Sequence, residues 1–321
     1  MSAKILVGDV RSRLQELQAN SVQTVITSPP YWGLRDYGND GQLGLEPTPQ
    51  EFVQNLCQVF DEVWRVMKDD GTLWLNLGDS YSSMRDSKAV PDTLRGDNDG
   101  TAVKTAANRN PLNLRLAGLK HKDLVGIPWR VAFALQERGW YLRQDIIWAK
   151  PNVMPESVRD RCTKSHEYLF LLTKQPRYYY DHIAIKEPVA AVSLKRAKSG
   201  WKTDRPSAKL GKEGIDVEEM GARFVNPEGR NKRDVWFIPT GSFKGAHFAV
   251  MPEKLVEPCI LAGSKEGDTI LDPFTGSGTV AVVALRHQRN FVGVELNQEY
   301  AQIAEKRITD SSPLFNQVIL A

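Results

Sequence analysis

The 321-residue chain predicts an α/β fold built on a doubly wound, seven-stranded, mostly parallel sheet. Seven short apolar runs are spread along it, and capped helical stretches lie between several of them. One strand–turn–helix passage is also rich in glycine, as ligand-binding corners of such sheets are.

The runs are "KILVGD" (4–9), "VQTVITS" (22–28), "TLWLNLGD" (72–79), "LRQDIIWAK" (142–150), "HEYLFLLTK" (166–174), "TILDPF" (269–274) and "NFVGVEL" (290–296). Most are apolar along their length rather than alternating, as strands covered on both faces are. Between the first two, "VRSRL" follows Asp9, which reads as a helix N-cap. After the second, "TPQEFVQNLCQVFDEVWRVMKDDG" places Thr48 at an N-cap, Pro49 at the first helical position and Glu51 three residues after the cap. Phe52, Leu56, Val59, Val63 and Val66 then form one apolar stripe, and Gly71 reads as the end of that helix. "IPWRVAFALQERG" repeats the pattern and ends at Gly139. "SGTVAVVALRHQ" starts directly behind the glycine turn, and "NQEYAQIAEKRI" has Asn297 as its cap.

Two stretches break the alternation. Residues 81–121 are polar and rich in Gly, Asn and Asp, which predicts a mobile insertion. Residues 187–245 are basic, punctuated by Gly and Pro, and carry Trp201, Phe224, Trp236 and Phe237, which predicts a small module or an elaborate loop. The remaining segments, 1–80, 122–186 and 246–321, then make up the main domain. From Lys186 to Lys244 there are 13 Lys and Arg against 8 Asp and Glu, so that segment carries +5 of a total of +3 and the rest sums to −2. A basic middle on a weakly acidic body suits a polyanionic partner, although charge-rich segments are commonly solvated surface.

Hydrophobic content of 41% and charged content of 25% are ordinary for a soluble globular enzyme. No apolar run has the length of a membrane span, and "MSAKILVGDV" lacks a signal-peptide pattern, so a cytoplasmic protein is expected. Cys57, Cys162 and Cys259 lie far apart with no C-x-x-C pair, and the five histidines show no ligand spacing. Neither a disulfide framework nor a metal is expected.

Two corners carry the chemistry. In "TILDPFTGSGTVAVVAL" a buried strand runs into Asp272-Pro273-Phe274-Thr275-Gly276-Ser277-Gly278 and then a helix, and Glu295 follows about 23 residues after Asp272 at the end of the next strand. An acidic side chain there is placed to accept from both hydroxyls of a ribose. The phosphate-cradling G-x-G-x-x-G pattern is absent, which suits a nucleoside without phosphates and argues against a nicotinamide oxidoreductase. In "VQTVITSPPYWGLRDYG" a strand stops in Ser28-Pro29-Pro30-Tyr31, where two prolines remove two donors and fix two φ angles. Taken alone, that corner is equally a rigid turn.

Together, "TSPPYW", "LDPFTGSGT" and "FVGVEL", in this order, resemble the amino-methylating DNA methyltransferases of the β class. The resemblance implies S-adenosyl-L-methionine as methyl donor and a Rossmann-like methyltransferase sheet in circularly permuted order. Ile270–Phe274 would then be central, with the first five strands in the far half. It implies a cofactor site made of Asp272, Phe274, Gly276, Gly278, Thr279 and Glu295, with His247 and Phe248 beside the methionine portion. Asp9 would receive the adenine amine, a role that stands beside its reading as an N-cap.

The other corner would receive a base flipped out of duplex DNA. Its amine is a poor nucleophile, because the lone pair is delocalised into the ring. Ser28 Oγ and the Pro29 carbonyl would accept the amine hydrogens, Pro30 would stiffen the turn, Tyr31 would stack on the base and Trp32 would pack behind it. Cys57 reads as packing, so no cysteine nucleophile is implied. Serine before Pro-Pro-Tyr is typical of cytosine-N4 enzymes and an acidic residue of adenine-N6 enzymes, which favours cytosine and leaves adenine open. Target recognition falls to 187–245, with Arg223, Arg230, Lys232 and Arg233 as candidate DNA contacts; Arg35 is a weaker one. Related enzymes are often homodimers, and some are paired with a restriction endonuclease acting on the same site. A catalytically silent DNA-binding regulator is the rival reading, against which both Ser28 and Glu295 are present.

Overall fold

The computed structural model describes residues 1–34, 41–82, 118–189, 192, 229–241, 251–311 and 317–321. Among them nine strands form one sheet: β1 (Ser2–Val7), β2 (Val22–Thr27), β3 (Met67–Leu77), β4 (Tyr141–Ala149), β5 (His166–Thr173), β6 (Val235–Phe237), β7 (Thr269–Asp272), β8 (Asn290–Glu295) and β9 (Gln317–Leu320). Their spatial order is β6-β4-β5-β3-β2-β7-β8-β1-β9. All seven expected strands are present, and β6 and β9, only three and four residues long, are additions at the two edges.

Every pairing is parallel except those of β5, which runs antiparallel to both β3 and β4. The runs that form β4 and β5 are joined without an intervening helix, and without a crossover helix two adjacent strands run antiparallel. β7 lies between β2 and β8, in the interior expected of it. The first strand departs from expectation: β1 pairs with β8, Ile5 opposite Gly293, so it belongs to the glycine-corner half and not to the far half.

Two helical layers cover the sheet. On one face α1 (Val10–Gln15), α2 (Pro49–Val66) and α3 (Ile127–Glu137) share a core with Leu6, Val25, Leu73, Phe170 and Leu271. On the other, α4 (Glu253–Gly263), α5 (Thr279–Arg286) and α6 (Gln298–Ser311) pack in sequence along it. Trp74, Phe52, Phe60, Phe170 and Phe291 are the largest fully buried side chains.

The caps follow the sequence. Thr48 Oγ1 accepts from the Glu51 backbone N–H at 3.2 Å, and Asn297 Oδ1 accepts from those of Glu299 and Tyr300 at 2.8 and 3.3 Å. The end of α2 does not, because it stops at Val66 and Met67 already begins β3. Gly71 therefore lies inside a strand, where a Cβ would meet the Gln23 carbonyl at 2.8 Å; glycine permits the close approach of β3 to β2 and caps nothing. α4 is an addition to the expected helices, and it carries Pro258 in its interior.

Val235–Phe237, inside the stretch assigned above to recognition, is thus a strand of this sheet. Residues Asp181–Arg233 form a second unit. Within it Glu187 and Arg230 exchange two backbone hydrogen bonds of 2.9 Å, and the Glu187 carboxylate pairs with Arg230 at 3.2 Å and Arg233 at 2.9 Å. Most of 81–121 lies outside the described residues. Among those described, no helix is long and apolar enough to cross a membrane.

Candidate active site

Parallel neighbours bring their C-terminal ends to one edge, and here four strands deliver polar corners to it. β1 ends at Gly8 and Asp9, β2 at Ser28–Tyr31, β7 at Asp272–Ser277 and β8 at Glu295; all line one cavity of about 320 Å³. Ser28 and Gly276, 248 positions apart in sequence, therefore share a cleft. A direct hydrogen bond ties the two corners: Thr27 Oγ1, just before Ser28, donates to Asp272 Oδ1 at 2.7 Å.

In the glycine corner the same Asp272 Oδ1 accepts the Phe274 backbone N–H at 3.0 Å. Gly276 and Gly278 have φ of +52° and +78°, the left-handed region that glycine enters freely, and Gly278 is the N-cap of α5. Gly276 donates its backbone N–H to Glu295 Oε2 at 2.8 Å, and Asn297 does the same to Oε1 at 2.9 Å. Each carboxylate oxygen thus has a further lone pair for a hydroxyl donor. Burial pushes the Glu295 carboxyl up, against the pull of those backbone donors. Thr279 also lines the cavity, while its Oγ1 accepts from Arg307 at 2.9 Å.

Asp9 takes the N-cap role: Oδ1 accepts from the backbone N–H of Arg11 at 2.9 Å and of Ser12 at 3.3 Å. Its Oδ2 pairs with Arg11 at 2.8 Å, and hydrogen bonding from Arg11 holds the carboxyl below its usual range. The side chain lines the cavity as well, so capping does not remove it from the site.

Burial pushes the Asp272 carboxyl up to about 7, partly offset by Thr27 and the Phe274 amide. Unfolded, that carboxyl titrates near the ordinary aspartate value of 3.8. Between the two values the folded chain holds a proton that the unfolded chain has released. Stability therefore falls as pH rises through this window, by at most about 1.4 kcal/mol per unit, and levels off above it. Asp272→Asn keeps an acceptor for Thr27 and removes the titration. Thermal unfolding of both proteins from pH 4 to pH 8 should show the wild type losing stability relative to the variant up to about pH 7. Parallel curves would refute the assignment.

At the other corner Tyr31 donates its hydroxyl to Glu167 Oε2 at 2.6 Å, and the Ser28 hydroxyl donates to Tyr31 Oη at 3.5 Å. Asn76 Nδ2 donates to the same Glu167 oxygen and to the Tyr168 carbonyl, both at 3.1 Å. Lys150 Nζ donates to Glu167 Oε1 and lies 4.3 Å from the centre of the Trp148 ring. Burial first, then the neighbouring Glu167 charge, holds the Tyr31 phenol well above its usual range. Trp32 is buried behind the corner, with Nε1 donating to the Glu46 carbonyl at 2.8 Å.

Sequence reasoning missed Asn76, Trp148, Lys150 and Glu167, all of which line the cavity. The available signal was Asn76, a polar residue interrupting the apolar run of "TLWLNLGD", and Glu167, a charge directly before the apolar run of "HEYLFLLTK". Cys57 lies in α2 with its thiol pushed by burial to about 11, far from the thiolate a nucleophile requires. Arg35, Arg223, His247 and Phe248 lie outside the described residues. Arg230, Lys232 and Arg233 belong to the second unit, where Arg230 and Arg233 pair with Glu187.

Residues 22–306 match the family described as DNA methylase, the N6/N4 methyltransferases. Over 307 residues the chain is 47% identical to the type II methyltransferase M.SmaI of Serratia marcescens, covering 96% of this chain and 91% of that one. The fold resembles TTHA0409 of Thermus thermophilus, complexed with S-adenosyl-L-methionine, with a TM-score of 0.60, 23% identity and coverage of 99% and 98% of the two chains. It also resembles the cytosine-N4-specific PvuII DNA methyltransferase, with a TM-score of 0.61, 17% identity and coverage of 99% and 95%.

Proposed function

The chain belongs to the N6/N4 DNA methylase family, and from that premise we propose that it methylates the exocyclic N4 amine of a cytosine in DNA. The observation carrying this reading is that Ser28 and Glu295, from opposite ends of the chain, open on one cavity. The methyl donor of this family is S-adenosyl-L-methionine, whose sulfonium carbon is electrophilic enough to be attacked by a weak amine.

The residues present fit an adenosine group. A partly buried Glu295 carboxylate with spare lone pairs suits a ribose diol, and a glycine turn at positive φ leaves room beside it. Asp9 would accept from the adenine amine, with Asp272, Phe274, Gly276 and Thr279 forming the walls; Gly278, which caps α5 and does not itself line the cavity, would shape the turn, and His247 and Phe248 are assigned to the methionine portion. Ser28 Oγ and the Pro29 carbonyl accept the hydrogens of the cytosine amine, fixing the nitrogen where its lone pair can reach the methyl carbon. Such preorganised acceptors stabilise developing charge at no reorganisation cost, and positioning supplies much of the remaining gain. Tyr31 offers a ring to the base. The base must leave the duplex to reach this edge, at a cost of a few kcal/mol.

Cytosine is favoured over adenine by Ser28, an uncharged acceptor typical of the N4 enzymes in this family. The segment 187–245 is assigned to target recognition, with Arg223, Arg230, Lys232 and Arg233 as phosphate or base contacts. By analogy with M.SmaI, which is a type II methyltransferase, the cytoplasmic role proposed is modification of a site shared with a cognate restriction endonuclease.

The test is to incubate the purified protein with S-adenosyl-L-methionine and unmethylated DNA, digest the DNA to nucleosides and identify the product by mass. N4-methylcytosine is expected. N6-methyladenine would overturn the choice of base and leave the family unchanged.

A further inference from the structure

A serine hydroxyl is both donor and acceptor, and only its acceptor face helps an amine attack. If the Ser28 hydroxyl pointed its proton at the substrate nitrogen, it would oppose the reaction. Something must hold that proton elsewhere.

The surroundings of Ser28 do this in a chain. The Ser28 hydroxyl donates to Tyr31 Oη at 3.5 Å, and Tyr31 donates its own proton to Glu167 Oε2 at 2.6 Å. Glu167 cannot turn away, because Asn76 Nδ2 binds the same oxygen at 3.1 Å and Lys150 Nζ binds the other. Lys150 and Glu167 are both largely buried, at 16% and 14% side-chain exposure, so the pair is little screened by water. The members come from the corner after β2, from β3, from the end of β4 and from β5, and every one of them lines the cavity.

We propose that Ser28, Tyr31 and Glu167 form a proton relay, held in register by Lys150 and Asn76, that makes Ser28 an acceptor and removes the proton of the methylated amine. The inference rests on the reading of Ser28 as the amine acceptor. In the transfer the N–C bond forms from the nitrogen lone pair as the donor's S–C bond breaks, its electron pair staying on sulfur. The nitrogen is left cationic with one surplus proton. That proton passes to Ser28 Oγ, the Ser28 proton passes to Tyr31 Oη, and the Tyr31 proton passes to Glu167, which becomes neutral and later releases it to solvent. A cationic exocyclic amine is far more acidic than an ordinary carboxylic acid, so the Glu167 carboxylate is a sufficient sink. The phenol stays protonated at rest, held high by burial and by Glu167, so the hops are concerted and no tyrosinate accumulates. Glu167 touches no reacting atom and acts as a positioning residue through Tyr31.

The test is a double-mutant cycle on Tyr31→Phe and Glu167→Gln. Single-turnover methyl transfer to DNA is measured at saturating S-adenosyl-L-methionine, and cofactor affinity is measured separately by calorimetry. Tyr31→Phe deletes one oxygen, keeps the ring, and should lower the rate by about 10- to 100-fold, below the 10²–10⁴ range of direct acid–base groups because Ser28 remains. Glu167→Gln should lower it comparably, and the double variant should be no slower than the slower single one. Cofactor affinity should be unchanged in all three. An unchanged rate in Tyr31→Phe, or two losses that multiply in the double variant, would overturn the relay. Failure of the wild type to methylate DNA at all would instead overturn the reading on which the relay rests.

Discussion

Ser28→Ala is expected to lower the single-turnover rate of methyl transfer by about 10²- to 10³-fold, the loss seen when one preorganised hydrogen-bonding partner of a reacting group is deleted. Cofactor affinity should stay where it was, because Ser28 stands at the β2 corner and Glu295 at the β8 end of the cavity. Alanine leaves the Pro29 carbonyl as sole acceptor and allows the amine to remain conjugated with its ring. The two prolines keep the turn rigid, and Tyr31 remains anchored by Glu167 at 2.6 Å, so the pocket itself should survive. Rapid-quench assay with labelled donor, beside calorimetry of cofactor binding, separates the two effects. A weakened affinity would mean that the corner holds cofactor and not base.

Glu295→Ala should do the opposite, raising the dissociation constant for S-adenosyl-L-methionine by about 10²-fold or more. A ribose diol donating to a carboxylate makes two charge-assisted hydrogen bonds, each worth about 1.5–3 kcal/mol. Removing the carboxylate also strips the backbone N–H groups of Gly276 and Asn297 of their acceptor, so the glycine turn and the start of α6 lose a shared tie. Glu295→Gln retains one acceptor oxygen and should fall between alanine and the wild type. If calorimetry gave wild-type affinity for both variants, the diol would have to be bound elsewhere.

The strands and both corners were legible because the signals were local. β-branched runs, a proline pair and a glycine turn each act within a few residues, and parallel strands then bring their C-terminal ends together without further instruction. Less local facts were hidden. The position of β1 beside β8 depends on which strand edge is free, which no window of sequence reports. Gly71 read as a helix end because both a cap and a close strand approach select glycine, and only the 2.8 Å gap to the Gln23 carbonyl tells them apart. α4 was not among the expected helices; it tolerates Pro258 in its interior because packing against α5 and β2 outweighs the lost backbone bond. Glu167 and Lys150 were invisible as a site because they lie 17 positions apart, one in β5 and the other just past β4, and gain meaning only opposite Tyr31.

The division of labour between the two corners is tested most directly by single-turnover rates of Ser28→Ala and Glu295→Ala, measured side by side across cofactor concentration. Saturating S-adenosyl-L-methionine should restore most of the rate in Glu295→Ala and almost none in Ser28→Ala. If both variants recovered alike, or neither did, the cavity would not be partitioned into a methyl-donor end and a base end as described.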